Sequence, residues 1–216
     1  MKVITLSLGS LQTNCYIVYD EKSLDTVVID PADDADAILS ALRECHLNLK
    51  LVLLTHGHFD HMMALDPLLD ATGAAFAFSA ADTPMLKDDD LNCMASLHGG
   101  HFKVDHRPDA LLRDGDKIEF GDMLIEVLET PGHTAGSLTY RIGDSLFTGD
   151  LLFYLMVGRM DLPSGSFTSL KKSLLKIGKL EGDYQIYPGH SIATTLAFER
   201  KNNIYMKHLL SRKAET

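Results

Sequence analysis

One junction constrains this chain more than any other: the apolar run LKLVLLT, residues 49–55, stops abruptly at HGHFDH. A continuous apolar stretch of that length reads as a strand buried on both faces, delivering its polar residues to a loop at its C-terminal end. In extended backbone, side chains two residues apart share a face, so His56 and His58 can reach one metal ion together. Asp60 and His61 follow at the expected start of a helix and point into the same cavity from a different height, suited to a second ion.

Two cations need further ligands, and the chain offers three, each after a β-type run and beside glycine: His133 in ETPGHTAGS, Asp150 in LFTGD and His190 in IYPGH. Loops at strand ends can converge on one site. A carboxylate can bridge two ions with its two oxygens, which imidazole cannot. Asp150 is therefore the natural bridge between an ion on His56, His58 and His133 and one on Asp60, His61 and His190. Charge balances as well: two divalent ions bring four positive charges, two carboxylates and a hydroxide remove three, and neutral imidazoles fill the shells. Nitrogen and oxygen donors without sulfur suit Zn, Fe or Mn.

Around these ligands the patterning alternates. VITLSL, NCYIVY and DTVVID read as strands, 33–45 as a helix with Ile38, Leu39, Leu42 and Cys45 at helical spacing, 61–71 as a second helix and AAFAF as a short strand. Residues 80–108 are polar and irregular, with His98, His101 and His106 expected as solvated histidines of a lid. KIEF, MLIEVLET, SLTYRI and DSLFTGD resume the strand pattern; 167–180 carries Leu170, Leu174, Leu175 and Ile177 on a helical face; YQIYPGH is a strand and loop; and 194–212 is a terminal helix. No linker or repeat divides the chain. The expectation is one α/β (α+β) domain over residues 1–216, two mixed β-sheets packed together with helices outside.

Thirty acidic against twenty basic residues give a formal charge of −10, which repels phosphate backbones and argues against nucleic acid as a partner. No apolar run approaches the roughly 18 residues of a membrane span, and the N-terminal stretch lacks the apolar core of a signal peptide. A cytoplasmic protein is expected, with Cys15, Cys45 and Cys93 as reduced thiols, since none falls in a paired motif.

THGHFDH, then PGHT, TGD and PGH in that order resemble the metallo-β-lactamase superfamily over essentially the whole chain. The resemblance implies an αββα sandwich with the metals at one edge of its two sheets. The Asp60–His61 pair, and Asp rather than Cys at 150, resemble glyoxalase II and its hydrolase relatives more than the secreted antibiotic-degrading enzymes. VGRMDLPSGS at 157–166 is similar to a stretch of the short, single-domain bacterial hydroxyacylglutathione hydrolases. By that likeness Arg159 and Asp161 line or brace the site's mouth; a plain loop-stabilising ion pair is the alternative. Tyr154, four residues after Asp150, is a candidate substrate contact or a packing residue. Longer glyoxalase II enzymes carry a separate C-terminal helical domain that binds glutathione, whereas 26 residues follow His190 here, which leaves the thiol half of the substrate open.

The resemblance implies hydrolysis of a small acyl thioester such as S-lactoylglutathione by two divalent ions, zinc foremost, with iron or manganese as alternatives. A water shared by the ions and oriented by Asp60 would be the nucleophile. Three other readings are distinct: hydrolysis of another ester or lactone, a persulfide dioxygenase with a single iron on His56, His133 and Asp150, and a metal-binding module without turnover. The oligomeric state is not legible in the sequence.

Overall fold

The computed structural model describes residues 1–211. β1 (Lys2–Leu8), β2 (Thr13–Tyr19) and β3 (Asp25–Ile29) pair antiparallel, and β4 (Asn48–Leu53), β5 (Ala75–Ser79) and β6 (Ala110–Leu112) then add in parallel to complete a six-stranded sheet. Parallel neighbours need a crossover, supplied by α1 (Ala35–Glu44) between β3 and β4 and by α2 (Leu65–Thr72) between β4 and β5; α3 (Met94–Leu97) lies on the way from β5 to β6. The second sheet grows as an antiparallel meander of β7 (Lys117–Phe120), β8 (Met123–Glu129), β9 (Leu138–Ile142) and β10 (Ser145–Gly149). A hairpin of β11 (Leu152–Phe153) and β12 (Met156–Val157) follows, then α4 (Phe167–Gly178) crosses over to β13 (Gln185–Pro188), which runs parallel to β10. β14 (Thr194–Thr195), α5 (Leu196–Asn202) and α6 (Ile204–Ser211) close the described chain.

Strand alternation builds the layers. Val27, Ile29, Leu51 and Leu53 face Val127, Tyr140 and Phe147 of the opposite sheet. Their neighbours Val28 and Val52 point the other way, against Ile38 and Leu42 of α1 and Leu65 and Leu68 of α2. Beyond the second sheet, Leu146 and Ile186 pack on Leu170, Leu174 and Ile177 of α4. Each such fully buried side chain stabilises by roughly 1.5–3 kcal/mol over exposure. Ser166 starts α4 by accepting from Ser169 N, one of the four donors a helix leaves open. The result is the four-layer αββα sandwich.

Three expectations need correction. Residues 59–61 form a single 3-10 turn and α2 begins only at Leu65. Pro67 has no N–H to give to an earlier turn, so the helix starts where proline is tolerated. The terminal helix is divided at Asn203, whose extended backbone (ψ 118) ends α5; Arg212 lies outside the described residues. The 80–108 stretch is less irregular and less polar than expected. It contains a 3-10 turn and α3, and it buries Met85, Leu86, Cys93, Met94 and Val104, with Cys93 and Met94 packed on Phe59 of the HGHFDH segment. His101 and His106 do sit at its surface, paired with Asp89 and Asp66.

No helix among the described residues is long and apolar enough to cross a membrane. The three cysteines are unpaired, Cys15 and Cys93 buried and Cys45 exposed.

Topology gathers the polar loops. The parallel strands β3, β4 and β5 end at one edge, leaving Asp30, HGHFDH and Asp82 there, and β8, β10 and β13 deliver His133, Asp150 and His190 to the same edge. Hydrogen bonds from Leu138 N to Thr55 O (2.7 Å), from the Tyr140 hydroxyl to Leu54 O (2.6 Å) and from Asn14 N to Gly189 O (2.7 Å) lock the sheets together at that edge.

Candidate metal centre

The seven residues expected as ligands converge on one cluster. Nε2 of His56 lies 3.1 Å from Nδ1 of His58, and Nε2 of His133 lies 2.9 Å from that same atom. Asp60, His61 and His190 form a second convergent group, with His61 Nε2 3.6 Å and His190 Nε2 3.4 Å from Asp60 Oδ2. Asp150 stands between the groups: Oδ1 is 3.4 Å from His61 Nε2, and Oδ2 is 3.4 Å from His133 Nε2 and 3.6 Å from His190 Nε2. Gly189 makes this approach possible, because a Cβ there would run into Asp150 Oδ1 and come within 2.8 Å of His61.

The remaining ring nitrogens, His58 Nε2 excepted, are held from behind. His56 Nδ1 meets the Thr55 hydroxyl at 3.1 Å, His133 Nδ1 the Arg159 carbonyl at 2.7 Å and His190 Nδ1 the Leu11 carbonyl at 3.2 Å. Thr13 donates to Asp60 Oδ2 at 2.7 Å. Such partners fix the tautomer and aim the opposite nitrogen inward.

Two buried carboxylates complete this support, and neither stood out in the sequence. Asp30 takes the N–H and hydroxyl of Thr55 on separate oxygens and pairs with His61 Nδ1 at 2.8 Å. Its backbone is left-handed (φ 53), which turns the chain sharply at the end of β3. A carboxylate closing an apolar strand next to the one that ends in HGHFDH was the available signal. Asp82, fully buried, accepts from Gly57 N, Gly136 N and the Thr134 hydroxyl at 3.1, 2.7 and 2.6 Å. It thus ties the loop of His56 and His58 to the loop of His133. Nothing local in the sequence marked it.

Asp30→Asn keeps the volume but removes an acceptor from His61. Metal affinity at the Asp60, His61 and His190 group should fall about 10–100-fold, measured by competition with a chromogenic chelator; unchanged affinity would refute this supporting role.

Electrostatics favour a cation. Burial, reinforced by neighbouring imidazoles, holds His56 well below the ordinary imidazole value and brings His58 to about 3, so both stay neutral. Burial works against charge on Asp60, yet His61 and a hydrogen bond to His190 bring its pKa to about 2. Burial likewise opposes ionisation of Asp150, and His61, His133 and His190 outweigh it, holding the group well below the carboxylate range. Against the same penalty, Asp60, Asp30 and Asp150 raise His61 well above its usual value, and Asp150 and Asp60 raise His190. A bound cation displaces those two protons, so metal affinity should grow as pH rises.

The donors fit metal ions. Among the described residues, His58 Nε2, His61 Nε2 and Asp150 Oδ1 are the buried side-chain polar atoms without a hydrogen-bond partner, whereas such atoms are normally paired. His61 Nε2 and Asp150 Oδ1 face each other. A tetrahedral ion with ligands at 2.0–2.1 Å sets neighbouring donors about 3.3 Å apart, close to the separations within the His56, His58 and His133 group. No thiolate joins the cluster, which suits zinc, iron or manganese.

A cavity of about 570 Å³ opens over the cluster, exposing His58, Asp60, His133, Asp150 and His190 at its floor. Phe153, Tyr154, Met156 and Val157 of the β11–β12 hairpin line it, with Leu97 and Leu162 opposite. Arg159 also lines it and is held by a two-pronged pair with Asp161 at 2.8 and 2.7 Å. Asp161 therefore braces Arg159 at the rim, where both are exposed. Tyr154 lines the cavity while stacking on Phe198 at 5.5 Å between ring centroids.

Comparison with known proteins agrees with this construction. The family model for the metallo-beta-lactamase superfamily matches residues 8–190. A hydroxyacylglutathione hydrolase, GloC of Haemophilus influenzae, is 30% identical over 95% of this chain and 98% of its own. Among solved structures, the BLEG-1 B3 metallo-beta-lactamase is 32% identical, with a TM-score of 0.91 over 95% of this chain and 99% of that one. TTHA1623 in a di-iron-bound form is 34% identical, with a TM-score of 0.82 over 94% of this chain and 100% of that one. The chain belongs to the metallo-beta-lactamase superfamily of metal-dependent hydrolases.

Proposed function

We propose that this protein is a dinuclear metal-dependent hydrolase of small acyl thioesters, of which S-lactoylglutathione is the first to test. The observation that carries the reading is Asp150, whose two oxygens face the His133 side and the His61 side of the cluster at the same distance, 3.4 Å. His56, His58 and His133 would hold one ion and Asp60, His61 and His190 the other, with Asp150 placed to serve both; zinc is the first expectation, although the similar TTHA1623 is described in a di-iron form. Bound there, two divalent cations supply Lewis acidity and the means to ionise water near neutral pH.

The chain's own residues do the rest. Asp60, kept ionised and oriented by the Thr13 hydroxyl, presents an acceptor at the cavity floor that fixes the direction of an attacking water's proton. The apolar walls exclude bulk water from the reacting bond. Arg159, braced by Asp161, places a positive charge at the rim, suited to an anionic group of the substrate. No cysteine lines the cavity, so the reading needs no thiol nucleophile. A thiol leaving group, with a free pKa of about 8.5, needs little help from an acid. The name of the similar GloC protein, a hydroxyacylglutathione hydrolase, supports the thioester assignment.

The test is metal content per chain by elemental analysis, paired on one sample with hydrolysis of S-lactoylglutathione, a lactone and a β-lactam. Two ions per chain with thioester turnover is the expected result. Two ions with turnover of the lactone or β-lactam alone would overturn the substrate assignment. One iron per chain, with oxygen consumed on a glutathione persulfide, would replace the hydrolase reading with a dioxygenase.

A further inference from the structure

Glu199 of α5 is fully buried and makes no ion pair among the described residues. Three donors hold it: the Thr194 hydroxyl on Oε1 at 2.8 Å, and Leu155 N and Asn203 Nδ2 on Oε2 at 3.0 and 2.9 Å. A carboxylate buried without a cation carries a desolvation penalty that an apolar side chain of similar size avoids, so its value lies in what it holds. Leu155 is the tip of the β11–β12 hairpin, with a left-handed backbone (φ 58) that is unfavourable for a leucine. Asn203, also fully buried, grips the same hairpin through the Met156 carbonyl at 3.1 Å. Its Oδ1 meanwhile accepts from Tyr205 N and Met206 N at the start of α6.

The hairpin is not a peripheral ornament. It starts directly after Asp150 and ends just before Arg159, whose carbonyl orients His133, and its side chains form one apolar wall of the cavity. The stack of Tyr154 on Phe198 adds a second attachment to α5.

We propose that Glu199 and Asn203 are positioning residues that clamp the 152–157 hairpin as the apolar wall of the cavity, and that this wall selects substrates carrying an apolar arm beside the scissile bond. The selectivity rests on the hydrolase reading above; the clamp does not. Each methylene buried against such a wall is worth about a fourfold gain in kcat/KM. Acetyl, butyryl and hexanoyl thioesters of one thiol should therefore be cleaved with rising efficiency.

Glu199→Gln could keep its carbonyl oxygen on Leu155 N and Asn203 Nδ2 while its N–H₂ donates to the Thr194 hydroxyl. The test variant is therefore Glu199→Leu, which fills the space but offers no acceptor to any of the three donors. In the metal-loaded variant, the hexanoyl-to-acetyl preference should fall at least tenfold, through KM, with bound metal unchanged. Hydrogen exchange at the Leu155 amide should quicken at least tenfold. Phe198→Ala, which removes the stack and leaves the buried carboxylate in place, should lower the same preference by a smaller factor and serves if Glu199→Leu does not fold. A uniform loss across the three thioesters would mean a merely structural role and overturn the proposal. Unchanged exchange at Leu155 would overturn the clamp, and quickened exchange with an unchanged preference would overturn the selectivity. If the wild-type protein cleaves no thioester, the hydrolase reading fails and takes the selectivity with it, while exchange at Leu155 still decides the clamp.

Discussion

Asp150→Asn is expected to leave the protein folded while lowering kcat/KM by more than about 100-fold and reducing bound metal from two ions per chain to one or none. The loss should exceed the roughly 10–100-fold cost of disturbing a residue that only orients a ligand, because Asp150 itself faces both ligand groups. Asparagine matches its volume, but it removes the negative charge and replaces one oxygen with an N–H₂ that has no lone pair to give a cation. The fold does not depend on the charge: β10 and β13 pair through their backbones, and Gly149 O accepts from Gly189 N at 2.9 Å. Circular dichroism, elemental analysis and a thioester assay on one preparation check all three parts. Two ions and activity within tenfold of wild type would rule out a bridging role.

Asp82→Ala should have the largest effect on stability. The carboxylate is fully buried and accepts three hydrogen bonds, two from backbone N–H groups. Burial pushes its pKa up, and these three donors pull against that rise. Alanine strands Gly57 N, Gly136 N and the Thr134 hydroxyl at 1–3 kcal/mol each, less whatever water recovers. A loss of about 3–5 kcal/mol follows, or on the order of 10 °C in melting temperature for a chain of this size. The same change frees the His56 and His58 loop from the His133 loop. Affinity for the ion on those three histidines should therefore drop more than affinity for the other. Differential scanning calorimetry of the apo and metal-loaded forms separates the two effects. A melting temperature within 2 °C of wild type, given as about the shift from 1 kcal/mol, would show that Asp82 is not the tie between the loops.

Much of the fold was legible because its signals are local. Apolar alternation marked the strands, and an apolar run buried on both faces marked β4 as a central parallel strand. The seven donors could be listed because metal-capable residues after strands and beside glycine form a short, distinctive set. Boundaries were weaker where side chains, not patterns, set them: α2 waits for Pro67, and Asn203 divides the last helix by capping the next one. The 80–108 stretch looked polar because its apolar residues follow neither a helical nor a strand period, yet Met85, Leu86, Met94 and Val104 fill space beneath the HGHFDH loop.

By itself, then, the sequence determined the layer order and the seven metal-capable side chains that converge at one edge, since strand period, donor chemistry and chain order are written residue by residue. Only the tertiary structure decided what aims those donors. Asp30 reaches His61 across 31 positions, Asp82 reaches Thr134 across 52 and Glu199 reaches the hairpin tip across 44. A lone carboxylate carries no periodic or motif signal, and its role is set by which donors packing places within 3 Å of it once water is excluded and the backbone groups around it need partners.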